Sequence, residues 1–166
     1  QTGGDNCLGT LDREEAYAIV TDPNLYHKLW SSFNDHTSGS GKMMIINGST
    51  EKDVSVWFTS TDIIPGTDYT FSFWSRSSYD KAIAEVDVWI NGEYQATFTG
   101  PVDSWAKHSL DWNAGTANSA KIEFICNTSQ YDGTDFALDD ISLIGKPSYN
   151  FENRITSGKV PAFKFY

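Results

Sequence analysis

Three tryptophans recur at matching places in three successive stretches of alternating residues. Trp57 falls between Ser55 and Thr59, Trp74 between Ser72 and Arg76, and Trp89 follows Glu85 and Asp87 at two-residue steps. Residues two apart share a face of an extended strand, so each indole is expected to share its face with hydroxyl or charged groups. A flat aromatic ring beside Arg, Asp and Glu suits a polyol ring. The C–H face of the polyol packs on the indole, and its hydroxyls pair with carboxylate and guanidinium. The three strands together predict one such face carrying Trp57, Trp74, Trp89, Arg76, Glu85 and Asp87. Tyr79, Tyr94, Tyr131 and Trp105 lie in or beside turns and could rim it. The alternative for any one tryptophan is ordinary packing, in the core or beneath a covering loop.

A second group is acidic. Asp35-His36-Thr37 precedes a Ser/Gly-rich turn, and Asp135-Phe136-Ala137-Leu138-Asp139-Asp140 opens the last apolar run. Adjacent Asp139 and Asp140 are expected to point to opposite faces, one of them inward. A buried carboxylate needs a cation or several hydrogen bonds. Calcium, which takes about six to eight oxygens including loop carbonyls, would suit a Gly/Ser loop beside a terminal Asp. Catalytic patterns are thin. There is no GxSxG, HExxH or phosphate loop, and His27, His36 and His108 show no metal-ligand spacing. Glu85 and Asp87 could stand at the roughly 5–9.5 Å separation of a glycosidase pair. Two carboxylates on one strand face are more often solvated charges, so the chain is expected not to be an enzyme.

The elements that must position these groups are strands. Lys42–Asn47, Asp53–Thr61, Tyr69–Ser77, Ala82–Ile90, Tyr94–Thr99, Trp105–Trp112, Lys121–Cys126 and Phe136–Ile144 are apolar or alternating runs. Turn chemistry separates them at roughly 8–12-residue intervals. Pro65-Gly66-Thr67-Asp68 is a turn, and Asn91-Gly92 is a strong two-residue hairpin signal. No long helical period appears; Leu25–Trp30 could form one short turn of helix. The reading is an all-β, two-sheet antiparallel β-sandwich of about eight or nine strands.

Charge and composition narrow the partners. The 166 residues carry a net charge of −10 with a pI near 4.5, which disfavours nucleic acid and anionic membrane surfaces. No apolar window reaches the ~18 residues of a membrane span, and no secretory leader pattern stands at the N-terminus. Residues 1–145 hold 21 acids and 8 bases, a net of −13, whereas residues 146–166 hold one acid and four bases, a net of +3. Residues 1–145 are therefore expected to form the domain, and 146–166 a basic tail or linker. Cys7 and Cys126 are too far apart in sequence for a CxxC motif; buried thiols and a disulfide both remain open. Asn47-Gly48-Ser49 and Asn127-Thr128-Ser129 fit the glycosylation sequon. Six Trp, eight Tyr and ten Phe exceed what a core of this size usually holds, so some should lie on the surface.

Several stretches carry a family resemblance. Ile19-Val20-Thr21-Asp22-Pro23, Asp35-His36-Thr37, Gly41–Gly48, Val56-Trp57, Pro65–Trp74, Ile90-Asn91-Gly92 and Asp135–Leu143 together resemble a jelly-roll module common in secreted Bacteroidetes proteins. More broadly the chain is similar to the galactose-binding-like β-sandwiches that include many carbohydrate-binding modules. The resemblance spans residues 17–144. It implies a two-sheet jelly roll, a structural Ca2+ held by Asp35, Thr37, the Lys42 carbonyl and Asp140, and glycan binding without catalysis. It also implies a secreted or cell-surface bacterial location, as a monomeric module attached to other domains. The sequence departs from the pattern where Leu11-Asp12-Arg13-Glu14-Glu15-Ala16 replaces an Asn-Gly-Phe-Glu-like segment that supplies a calcium carboxylate. Trp57 and Trp74 belong to the family pattern and can be scaffold or site. Trp89 and Tyr131 do not, and are the preferred ligand contacts.

The expected partner is thus a polysaccharide or oligosaccharide, best a neutral plant-type β-glycan of the glucan, xylan or mannan class, since an acidic domain repels uronic-acid polymers. A protein-binding adhesion or spacer module is the second reading, and a small glycosidase the third.

Overall fold

A computed structural model describes residues 9–127 and 135–146. Nine strands form: β1 (Ala16–Val20), β2 (Met43–Asn47), β3 (Val54–Asp62), β4 (Asp68–Ser77), β5 (Ala84–Ile90), β6 (Glu93–Gly100), β7 (Ala106–Asn113), β8 (Ser119–Cys126) and β9 (Phe136–Gly145). They make a five-stranded sheet in the order β1-β2-β9-β4-β7 and a four-stranded sheet in the order β3-β8-β5-β6, with every pairing antiparallel. This is the expected β-sandwich. The helical turn is smaller than expected and earlier, a single 3-10 turn at Pro23–Leu25. Pro supplies its first residue, and the Asp22 carboxylate accepts the Asn24 N–H at 3.1 Å.

Alternation builds the core. On β4, Tyr69, Phe71 and Phe73 are buried while Thr70, Ser72, Trp74 and Arg76 are half-buried on the other face. On β5, Ala84, Val86, Val88 and Ile90 are buried, and on β8 Ala120, Ile122, Phe124 and Cys126. These side chains meet between the sheets, with Phe124 against Phe71 and Phe73 at ring separations of 6.3 and 4.9 Å.

β2 breaks the alternation, for all five of its residues are buried. Met44 and Ile46 belong to the inter-sheet core, whereas Met43 and Ile45 join a second apolar cluster with Leu11, Val20, Trp30, Phe33 and Ala137. The second cluster covers the β1–β2–β9 part of the outer face of the five-stranded sheet. Much of the cover comes from the connection between β1 and β2, residues 21–42, which brings Trp30 and Phe33 down onto that face. Trp30 is 2% exposed, and its Nε1–H donates to Asp135 Oδ2 at 2.8 Å. The outer face of the four-stranded sheet contributes no residue to this cluster.

The last described residue after β9 is Lys146, whose N–H donates to the Asp68 carbonyl. Residues 147–166, Cys7 and Tyr131 lie outside the described residues, and with them the tail, one partner of the cysteine question and one preferred contact. Cys126 is fully buried. Asn47 is only 4% exposed and donates to the Leu11 carbonyl at 3.1 Å, so the first sequon is closed to modification as folded.

Candidate carbohydrate platform and loop latch

The single face expected for Trp57, Trp74 and Trp89 does not exist. Trp74 and Arg76 stand on β4, on the outer side of the five-stranded sheet, while Glu85, Asp87 and Trp89 stand on β5, on the outer side of the other. The two outer faces of a sandwich point in opposite directions. Trp57 leaves the group for another reason. The β3–β8 register shifts between Ser55 and Trp57, which places Trp57 opposite core residue Phe124 and Phe58 opposite Glu123. Such a bulge inserts one residue and exchanges the faces beyond it. Trp57 therefore packs on the core, 5.7 Å from the Phe124 ring, and Phe58 becomes an outward residue at 61% exposure.

On the five-stranded face the β1–β2 connection claims the expected site residues. The His36 ring stacks on Trp74 at 3.5 Å and 18°, with Trp105 approaching His36 edge-on at 6.3 Å. The Arg76 guanidinium lies 4.2 Å over the Phe33 ring, and among the described residues its Nε has no hydrogen-bond partner. Burial lowers the Arg76 pKa, against the opposing pull of Asp103. Tyr79 packs against the second cluster, with Lys81 Nζ 5.7 Å over its ring. These groups fasten the connection to the sheet.

Three of the four proposed calcium residues, Asp35, Thr37 and Asp140, come together at the same connection, and Lys42 ends it just before β2. Asp35 is buried at 6% exposure; its Oδ2 accepts Ser38 N–H and Oγ–H, and its Oδ1 accepts Gly41 N–H at 2.6 Å. These bonds, that from Ser38 N–H first, hold its carboxyl below the usual range. β9 is bulged opposite β4 between Ser72 and Trp74, and Asp140 there takes a φ of 50°. The bulge corrects the expectation that one of the two aspartates faces inward. Asp139 Oδ2 accepts His36 N–H at 2.9 Å, while Asp140 accepts the Thr37 hydroxyl at 2.6 Å and pairs with His36 Nδ1 at 2.8 Å. Both aspartates reach the connection. Asp140 is likewise held below the usual range, mainly by the Thr37 hydroxyl, and Asp35 is near enough to oppose that shift.

Two neighbouring carboxylates and a hydroxyl are oxygen donors of the kind calcium takes, and Lys42 would add only its carbonyl. Their present partners are N–H and O–H groups, so an ion would have to replace part of this network. No group of three or more His, Cys, Asp or Glu placed to hold a metal occurs among the described residues.

The four-stranded face is built differently. Phe58 on β3 pairs with Glu123 on β8, Glu123 with Trp89 on β5, and Trp89 with Tyr94 on β6. One row of outward side chains thus crosses the whole sheet. The hairpin turn Asn91-Gly92 has both residues at positive φ, 53° and 79°, as a two-residue turn of the primed type requires. A register shift at Val88/Trp89 sets Tyr94 opposite Trp89, with their rings edge-to-face at 6.1 Å. Tyr94 is 53% exposed, and its hydroxyl meets Thr97 Oγ1 at 3.0 Å. Trp89 Nε1 is shielded from solvent and has no partner among the described residues.

Asp87, one row along, accepts Thr97 Oγ–H and Asn127 Nδ2–H on the same oxygen. Glu85 is exposed. Of the expected contacts, this face therefore keeps Trp89, Asp87 and Glu85. It adds Phe58 and Glu123, which sequence reasoning missed, and promotes Tyr94 from the rim. The Trp57-Phe58 doublet was the available signal, since two adjacent bulky aromatics strain strict alternation.

No family model and no curated protein matches the sequence. Solved structures do match the fold. A CBM4 domain has a TM-score of 0.52 at 15% identity, covering 83% of this chain and 97% of that one. The CBM22-1 xylan-binding domain from Paenibacillus barcinonensis Xyn10C has a TM-score of 0.54 at 11% identity, covering 78% and 80%. The CBM22-1–GH10 modules of Clostridium thermocellum xylanase 10B, solved with xylohexaose, give 0.50 at 12%, covering 78% of this chain and 24% of that one. At these identities the likeness is one of architecture. The chain has the jelly-roll sandwich fold of carbohydrate-binding modules.

Proposed function

We propose that this chain is a non-catalytic carbohydrate-binding module whose ligand lies on the outer face of the four-stranded sheet. The observation that carries the reading is the row Phe58, Glu123, Trp89 and Tyr94, three aromatic surfaces and one carboxylate on a sheet face that, among the described residues, contributes nothing to the second apolar cluster. Aromatic faces supply apolar contact to sugar C–H groups, and the carboxylate accepts from hydroxyls. The favoured ligand is a neutral β-glycan of the glucan, xylan or mannan class, because Glu85, Asp87 and Glu123 all set negative charge on that face. The fold neighbours include xylan-binding modules, one of them joined to a GH10 module, which supports a role inside a larger secreted or cell-surface bacterial protein. Asp87 is tied to Thr97 and Asn127, an arrangement suited to shaping a surface and not to shuttling protons.

A structural calcium held by Asp35, Thr37, the Lys42 carbonyl and Asp140 belongs to the same proposal. The ion would neutralise two neighbouring carboxylates and hold the β1–β2 connection against β9.

The test is affinity electrophoresis in gels containing β-glucan, xylan or mannan. Wild-type protein is expected to be retarded by at least one, and Trp89→Ala to run freely with its melting temperature unchanged. Equal retardation of both proteins would remove the site.

A further inference from the structure

The inference rests on the carbohydrate reading above and concerns how the ligand lies and what it must offer. The members of the row are direct cross-strand partners on β3, β8, β5 and β6. The row therefore runs at right angles to the strands, and at ordinary strand spacing it measures roughly 14 Å. Aromatic surfaces stand at both ends, Phe58 on one edge strand and the Trp89–Tyr94 pair at the other. Glu123 fills the place between.

Glu123 is held in a particular way. Its side chain is 15% exposed, and its Oε1 takes both Lys121 Nζ at 2.9 Å and Ser55 Oγ–H at 3.3 Å. Lys121 Nζ also lies 4.9 Å over the Phe58 ring, so one cation orients two members of the row. Among the described residues no donor meets Oε2. A mostly buried carboxylate with one oxygen engaged and the other open is a fixed acceptor. A ligand group placed over it must donate a hydrogen bond. An ester or a carboxylate there would leave Oε2 desolvated without a donor, and a carboxylate would add like-charge repulsion, both of which are costly.

We infer that the glycan chain runs across β3, β8, β5 and β6 along this row, and that Glu123 is the specificity-determining acceptor. It selects neutral, unesterified chains and rejects uronic-acid polymers.

Titration calorimetry with cellohexaose, xylohexaose, mannohexaose and hexagalacturonic acid tests this on wild-type, W89A, F58A and E123Q proteins. The neutral hexaose bound best by wild type is expected to lose about tenfold in affinity with F58A and about tenfold or more with E123Q. E123Q should melt as wild type does, and its preference for the neutral hexaose over hexagalacturonate should narrow. If W89A loses binding while F58A stays as wild type, the crosswise path is overturned and the carbohydrate reading stands. An E123Q that keeps both affinity and preference, or that weakens both ligand types equally, overturns the acceptor role. If wild type binds none of the four, or W89A binds as wild type, the carbohydrate site and this inference fall together.

Discussion

On the outer face of the five-stranded sheet, Trp74 carries the His36 ring stacked at 3.5 Å; on the outer face of the four-stranded sheet, Trp89 meets the edge of Tyr94 at 6.1 Å. Both tryptophans alternate with polar neighbours on central strands. Their fates differ because the connection of residues 21–42 packs on the first face and, among the described residues, not on the second. A connection of this length is itself unusual, and long ones are often functional. Here it packs Trp30 and Phe33 onto one side of the sandwich, and the platform proposed above lies on the other. The lesson is that an aromatic on a polar-alternating strand face reports availability only when nothing folds over that face.

The sharpest test of the covered side is Trp30→Ala. Removing a nearly fully buried indole that also donates to Asp135 should cost ~3–5 kcal/mol, read by denaturant unfolding. The same change at Trp89 should leave unfolding nearly unaltered and instead reduce glycan affinity about 10- to 100-fold. A Trp89→Ala protein that unfolds as easily as Trp30→Ala would erase the contrast between the faces.

Acid should act on the covered side. Asp35 and Asp140 have folded-state values depressed below 3.8 by the Ser38 N–H and the Thr37 hydroxyl respectively. The stabilisation they give is complete above about pH 4 and is lost as pH falls through the folded values. Melting temperature should drop more steeply between pH 4 and pH 2 in wild type than in an Asp35→Asn/Asp140→Asn double variant; parallel curves would detach the latch from these carboxylates. The smallest effect is expected from chelation. If the proposed calcium is held there, EDTA should lower the melting temperature by a few degrees and leave glycan retention at low temperature unchanged. A loss of retention without a thermal shift would place an ion at the other face.

Much of this architecture was legible from period alone. The buried sets of β4, β5 and β8 are the alternate apolar residues of their runs, and Asn91-Gly92 announced its hairpin. What could not be read were the displacements of register. The bulge at Trp57 exchanged that residue with Phe58, and the bulge beside Asp140 turned both aspartates to the connection. A bulge is set by how a strand meets a distant partner, so its cause lies in residues far along the chain. The assignment of strands to sheets is non-local in the same sense. Trp74 and Trp89 are separated by one strand-to-strand link, yet that link crosses from one sheet to the other. Glu123 was more accessible, since Ile122, Phe124 and Cys126 already claimed the opposite side of β8.

The Asn91-Gly92 turn has a consequence for the order of assembly. Trp89 and Tyr94 are five positions apart and are joined by a closed two-residue hairpin, so their contact requires almost no loop-closure entropy and can form on the ~1–10 μs timescale of a hairpin. Phe58 and Glu123 depend on strands separated by more than sixty positions, and must await collapse of the whole sandwich. Half of the platform is thus a local unit of β5 and β6. A single residue inserted into that turn would slip the hairpin register and turn Tyr94 toward the core.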